Sequence, residues 1–96
     1  MHPDKVRRER LSTLTDLPNI GPSLAADLHL LGIETPQQLT GRDGLQLYRR
    51  LCEITQVRQD PCVLDTFLSI TDFMTGNPAR CWWHYTAERK RRWPSL

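Results

Sequence analysis

Leu17-Pro18-Asn19-Ile20-Gly21-Pro22, followed by Ala25, Ala26 and Leu28, is the stretch on which the fold turns. Pro18 lacks an N–H and its ring clashes with a preceding helical turn, so a helix ends at Leu17. Asn19 and Gly21 both tolerate left-handed backbone angles, which a reversal this short requires. Ile20 plugs between two helices, and Pro22 suits the first position of the second, where no N–H is needed. The stretch predicts a tight hairpin between two short helices. A hairpin that ends at an uncapped helix N-terminus presents free amides and the positive end of the helix dipole, an arrangement that holds phosphate. The candidate contacts are Asn19, Ile20, Gly21, Ser23 and Leu24, with the amides of Gly21, Ser23 and Leu24 and the Ser23 hydroxyl as donors. Asp16 and Asp27 lie close by and oppose an anion. A purely structural joint between packed helices is the alternative reading.

Outward from the hairpin the chain reads as all-helical. Upstream, Val6, Leu14 and Leu17 predict a first helix from about Lys5 to Asp16. Downstream, a second helix from Pro22 turns Leu24, Ala25, Leu28 and Leu31 inward, with Gly32 as a left-handed cap and Ile33 folding back on the helix end. Thr35-Pro36-Gln37-Gln38 is a capping box that starts a short third helix ending near Gly41. Asp43 caps a fourth, with Gln46 three residues on and Leu47, Leu51 and Ile54 on one face beside Tyr48 and Cys52. Asp60-Pro61 opens a fifth. Its stripe of Val63, Leu64, Phe67, Leu68, Ile70, Phe73 and Met74 is so wide that it predicts the most buried helix, with Asp65, Ser69 and Asp72 on its narrow polar side. Gly76-Asn77-Pro78 stops it, and Thr86 caps a last short helix with a basic end. The expected fold is one compact all-α domain of five to six helices over residues 1–96, with residues 1–10 and 93–96 as flexible ends.

No apolar run approaches the ~20 residues of a membrane span, and no apolar segment follows the basic N-terminus as in a signal peptide. Cys52, Cys62 and Cys81 are an odd number without a C-x-x-C pair, which suits reduced thiols in the cytoplasm, packed as small hydrophobes. The formal net charge of +2 hides an asymmetry. Residues 1–10 hold Lys5, Arg7, Arg8 and Arg10 against Asp4 and Glu9. Residues 80–96 hold Arg80, Arg89, Lys90, Arg91 and Arg92 against Glu88 alone. Between them eight acids face four arginines. Basic ends on an acidic body suit an anionic partner such as nucleic acid.

The residues from Leu17 to Leu28, continuing through Leu31-Gly32-Ile33-Glu34-Thr35-Pro36-Gln37-Gln38-Leu39, resemble a helix-hairpin-helix motif. Together with Arg42-Asp43, Leu47-Tyr48-Arg49-Arg50-Leu51-Cys52, Asp60-Pro61-Cys62-Val63-Leu64-Asp65 and Trp82-Trp83-His84-Tyr85-Thr86-Ala87-Glu88-Arg89-Lys90, they resemble the small bacterial "pathogenicity locus" (Cdd) family. Its members are often labelled mitomycin resistance proteins. The likeness runs from about Leu11 to Lys90, with a more distant one to the C-terminal domain of the TfoX competence regulators. The resemblance implies a SAM-like helical fold and a loose association with DNA.

Other groups carry less. Arg89, Lys90, Arg91 and Arg92 are candidate phosphate contacts if the last helix lies beside the hairpin, with Trp93 free to stack; a solvated tail is the alternative. Of Trp82, Trp83 and Tyr85, at least one Trp is expected to close the core. Cys81-x-x-His84 is half a metal site, and structural zinc normally takes two close pairs, so no metal or other cofactor is expected. No nucleophile elbow, phosphate loop or paired acids point to catalysis. Cys62, near a helix N-terminus, could be an activated thiol only if burial did not raise its pKa. The sequence therefore points to weak, sequence-independent binding of DNA backbone by a non-enzymatic accessory protein. A protein-interaction adaptor, docking through the aromatic and basic C-terminal segment, is the alternative.

Overall fold

A computed structural model describes all residues from Met1 to Leu96. The chain is all-helical, with α1 Pro22–Leu30, α2 Gly44–Thr55, α3 Pro61–Met74 and α4 Thr86–Arg92, joined by short 3-10 turns. None of these helices is long and apolar enough to cross a membrane.

The first segment departs from expectation. Where one helix was predicted over Lys5–Asp16, the chain makes three separate 3-10 turns at Pro3–Lys5, Arg8–Arg10 and Leu14–Asp16. Thr13 and Asp16 form a reciprocal capping box, and the Asp16 carboxylate accepts the Ser12 and Thr13 N–H groups at 2.9 Å each. That local exchange restarts the chain at Leu14 and forbids a continuous helix through Ser12 and Thr13. The predicted third helix is likewise a single 3-10 turn, Pro36–Leu39, held by the expected capping box of Thr35 and Gln38. Four α-helices therefore replace the expected five to six.

The chain reverses between Leu17 and Gly21, but a three-residue 3-10 turn, Leu14–Asp16, precedes the reversal, so only the second of the two expected helices flanks it. Asn19 takes the left-handed conformation at φ 67°, but Gly21 is extended, at φ −100°, as the N-cap of α1. Leu17 and Ile20 are buried on either side of it. Gly32, at φ +80°, caps the end of α1, and Ile33 folds back to donate to the Leu28 carbonyl.

The core sits around α3, against which α2 and the 3-10 turn Trp82–Tyr85 pack while α1 packs on α2, and Leu17, Leu28, Leu39, Leu51, Leu64, Phe67 and Ile70 are wholly buried. Helix α3 is central, as its wide stripe predicts. Gly44 lets α2 approach it, since a Cβ there would meet the Leu68 amide nitrogen at 3.1 Å and the Phe67 carbonyl carbon at 3.2 Å. Ile54, expected inward, is exposed near the end of α2, and the three cysteines are only half-buried.

The narrow polar side of α3 is not a solvent face. Asp65 and Ser69 are fully buried. The Asp65 carboxylate accepts Arg89 Nε and the Thr86 hydroxyl, both at 2.7 Å. Thr86 thus ties α4 to α3 instead of capping α4, whose N-cap is Tyr85. Ser69 donates to the Thr66 carbonyl and accepts the Asn19 side-chain amide. Near the two chain ends, Val6 and Leu11, and Trp93 and Leu96, are partly buried against the core.

Candidate nucleic-acid interface

Helix α1 opens at Pro22, and its first internal hydrogen bond runs from the Ala25 N–H to the Gly21 carbonyl at 2.9 Å. Gly21 has no side chain to cap the helix. The N–H groups of Gly21, Ser23 and Leu24 therefore have no protein acceptor, and Gly21 and Ser23 are exposed. These are the donors expected from the sequence. The other two hairpin candidates serve the fold. Ile20 is 1% exposed. Asn19 donates its backbone N–H to the Met1 carbonyl, and its side chain to Ser69 Oγ at 3.0 Å and the Arg80 carbonyl at 2.8 Å. It ties the hairpin to α3 and to the segment before α4.

The basic ends divide in the same way. Arg89 is 7% exposed and locked on Asp65, because an arginine fork satisfies a buried carboxylate that would otherwise be left unpaired. That corrects its assignment to a phosphate contact. Arg92 pairs with Glu88 at 3.4 Å and lies over the Trp93 ring at 4.4 Å. Lys90 and Arg91 are exposed without a protein partner. At the other end, Arg8 donates to the carbonyls of Phe73 and Asn77 at 2.7 and 2.8 Å and covers the Phe73 ring at 4.0 Å, capping the C-terminal end of α3.

Lys5, Arg7 and Arg10, by contrast, gather around one hollow with Met1 and Asp16, and no acid pairs with them. This cluster was visible only as a basic run; the turns that fold it back beside the hairpin were not. Met1 is common to this hollow and to a second groove, which also borders Asn19, Ile20 and Gly21 and continues to Cys81, Trp82 and Trp83. The one carboxylate in the basic hollow, Asp16, already accepts two backbone N–H groups, which hold its pKa below the usual aspartate range. The Met1 ammonium donates to the carbonyls of Leu17 and Ile20, and burial lowers its pKa, against the opposing influence of Asp16.

The aromatic expectation inverts. Tyr85 is buried, donating to Asp72 at 2.6 Å, and burial ahead of that bond drives its pKa up. Trp82 and Trp83 are both exposed, at 36% and 61%. The Cys62 thiol is pushed up, first by burial and then by Asp60, against thiolate formation at the start of α3.

A small helical domain with a tight reversal before an uncapped helix start and a folded-back basic N-terminal segment defines the class. The pathogenicity locus family model matches residues 7–91, and the chain belongs to that family. It is similar to the "Mitomycin resistance protein McrB" of Streptomyces lavendulae, 49% identical over 80 residues that span 83% of this chain and 76% of the relative. No solved structure matches.

Proposed function

We propose that this protein binds the phosphate backbone of DNA weakly and without sequence preference, as an accessory protein. Supporting it most is the convergence of Lys5, Arg7 and Arg10 on a hollow that shares Met1 with the groove beside the hairpin, whose amides at Gly21, Ser23 and Leu24 lack acceptors. Amides at a helix start fix a phosphate by geometry, and nearby cations supply affinity that releases counterions; neither reads a base. In this reading the resistance named for the Streptomyces relative reflects protection or repair of cross-linked DNA.

Gly21→Asp tests it. Gly21 has the extended backbone of an N-cap, and a Cβ there meets no atom within 4 Å. An N-cap carboxylate accepts the N–H of the second or third helical residue, here Ser23 or Leu24. The variant should fold at least as stably as the parent, because Asp caps slightly better than Gly. Its carboxylate should fill the phosphate position and repel DNA, lowering affinity by about tenfold. Unchanged affinity would leave the hairpin as a structural joint. Binding that resists added salt would favour docking of a protein partner over phosphate.

A further inference from the structure

We infer that the groove between the hairpin and the Trp82–Trp83 pair holds an unpaired base, so that the preferred ligand is single-stranded or locally melted DNA rather than regular duplex. This rests on the DNA-backbone reading above and adds a ligand class to it. The groove, about 350 Å³, is bordered by Met1, His2 and Pro3 and the hairpin on one side and by Cys81, Trp82 and Trp83 on the other. Neither indole belongs to the buried core, and both border the groove instead. Trp82 leaves about a third of its surface in water and Trp83 well over half, and adjacent exposed aromatics next to a polar rim mark a contact surface.

Geometry and charge select the occupant. The Trp82 and Trp83 rings stand 5.7 Å apart at 82°, so together they form a corner rather than a flat plate. A planar base can stack on one ring with its edge against the other. Stacking of this kind is indifferent to which base is present, because every base has a π-face. None of the residues bordering the groove is acidic, and the adjoining hollow carries Lys5, Arg7 and Arg10. Asp16, the one acid of the adjoining hollow, is held by the Ser12 and Thr13 N–H groups, and Asp4 lies exposed 3.7 Å from the His2 ring. Arg80 stands beside Cys81 with its guanidinium on His84 at 2.6 Å. An aromatic corner with a cationic margin fits a polyanion whose bases are accessible, and bases in an intact duplex are stacked on each other and cannot reach it.

The test compares labelled oligothymidine with a duplex of equal length, by fluorescence anisotropy at low salt, on the full chain and on Trp83→Ala, Trp83→Phe and a Lys5→Ala/Arg7→Ala/Arg10→Ala variant. The full chain should bind the single strand more tightly than the duplex and show quenched tryptophan emission. Trp83→Ala should weaken single-strand binding by about tenfold and leave the duplex unchanged, while Trp83→Phe keeps most of the preference by keeping a ring. The triple variant should weaken both ligands. Equal affinity for the two forms, untouched by Trp83→Ala, would overturn this inference and leave the phosphate reading standing. Absence of binding to either form at low salt would overturn both.

Discussion

Arg8 and Arg89 show how a basic cluster divides. Each lies in a run of cations, yet Arg8 closes the end of α3 and Arg89 neutralises Asp65 inside the fold, leaving Lys5, Arg7, Arg10, Lys90 and Arg91 for solvent or a partner. Composition cannot make that division. Asp65 falls on the polar side of a helical pattern, and periodicity does not distinguish an exposed acid from one met by an arginine 24 residues later. Arg89→Ala should destabilise by about 3–5 kcal/mol, because it leaves a buried carboxylate unpaired. Arg91→Ala should stay within about 0.5 kcal/mol of the parent. Urea denaturation of the two, side by side, checks the contrast. Phe67→Ala should cost ~3–5 kcal/mol as a large void in the centre of α3. Two glycines should each resist alanine, for different reasons. Gly32→Ala forces a Cβ into a left-handed residue and should lose ~1 kcal/mol. Gly44→Ala drives a Cβ into the α3 backbone and should lose roughly 1–3 kcal/mol despite alanine's helix propensity. A rise in thermal midpoint for either would contradict the geometry described.

At the level of elements, the downstream boundaries were legible and the first was not. Gly32, Thr35-Pro36, Asp43 and Asp60-Pro61 each mark a stop or a start through the backbone chemistry of one or two residues, and the structure uses every one of them. The segment before the hairpin carries too few apolar residues for a stripe, and the local Thr13–Asp16 box prevailed over the spacing of Val6, Leu14 and Leu17. The same box predicts behaviour in acid. Asp16 and Asp60 have pKa values lowered by accepting backbone N–H groups, Asp16 from Thr13 and Ser12 and Asp60 from Cys62. Their stabilisation is complete above the unfolded aspartate value and disappears as pH falls through the lower folded values. Thermal midpoints should therefore drop on going from about pH 5 to pH 3, and less so in an Asp16→Ala/Asp60→Ala double variant. An equal drop in both would mean that other carboxylates dominate. The C-terminal element is part of the fold as well. Removal of residues 89–96 takes away the partner of Asp65 and the packing of Trp93 and Leu96. The truncated chain should lose its cooperative unfolding transition by circular dichroism.

Over the whole molecule, the sequence carried the hairpin and its free amides, because Pro, Asn and Gly act within a few bonds. It did not carry their surroundings. Lys5, Arg7 and Arg10 gather at a hollow that shares Met1 with the hairpin groove once the upstream segment breaks into turns, and Trp82 and Trp83 border that groove while Tyr85 is buried beside Asp72. The proposed binding surface thus combines the first ten residues, the hairpin and the Cys81–Trp83 segment. Salt dependence is the sharpest test of phosphate binding there. DNA affinity should be measured over a salt series for the full chain and for the Lys5→Ala/Arg7→Ala/Arg10→Ala variant. Log K should fall linearly with log salt for the full chain. The slope should become shallower in the variant by about 0.9 for each phosphate that is no longer neutralised on duplex, and by ~0.7 on single strands. A slope identical in the two proteins, or affinity that does not change with salt, would contradict it.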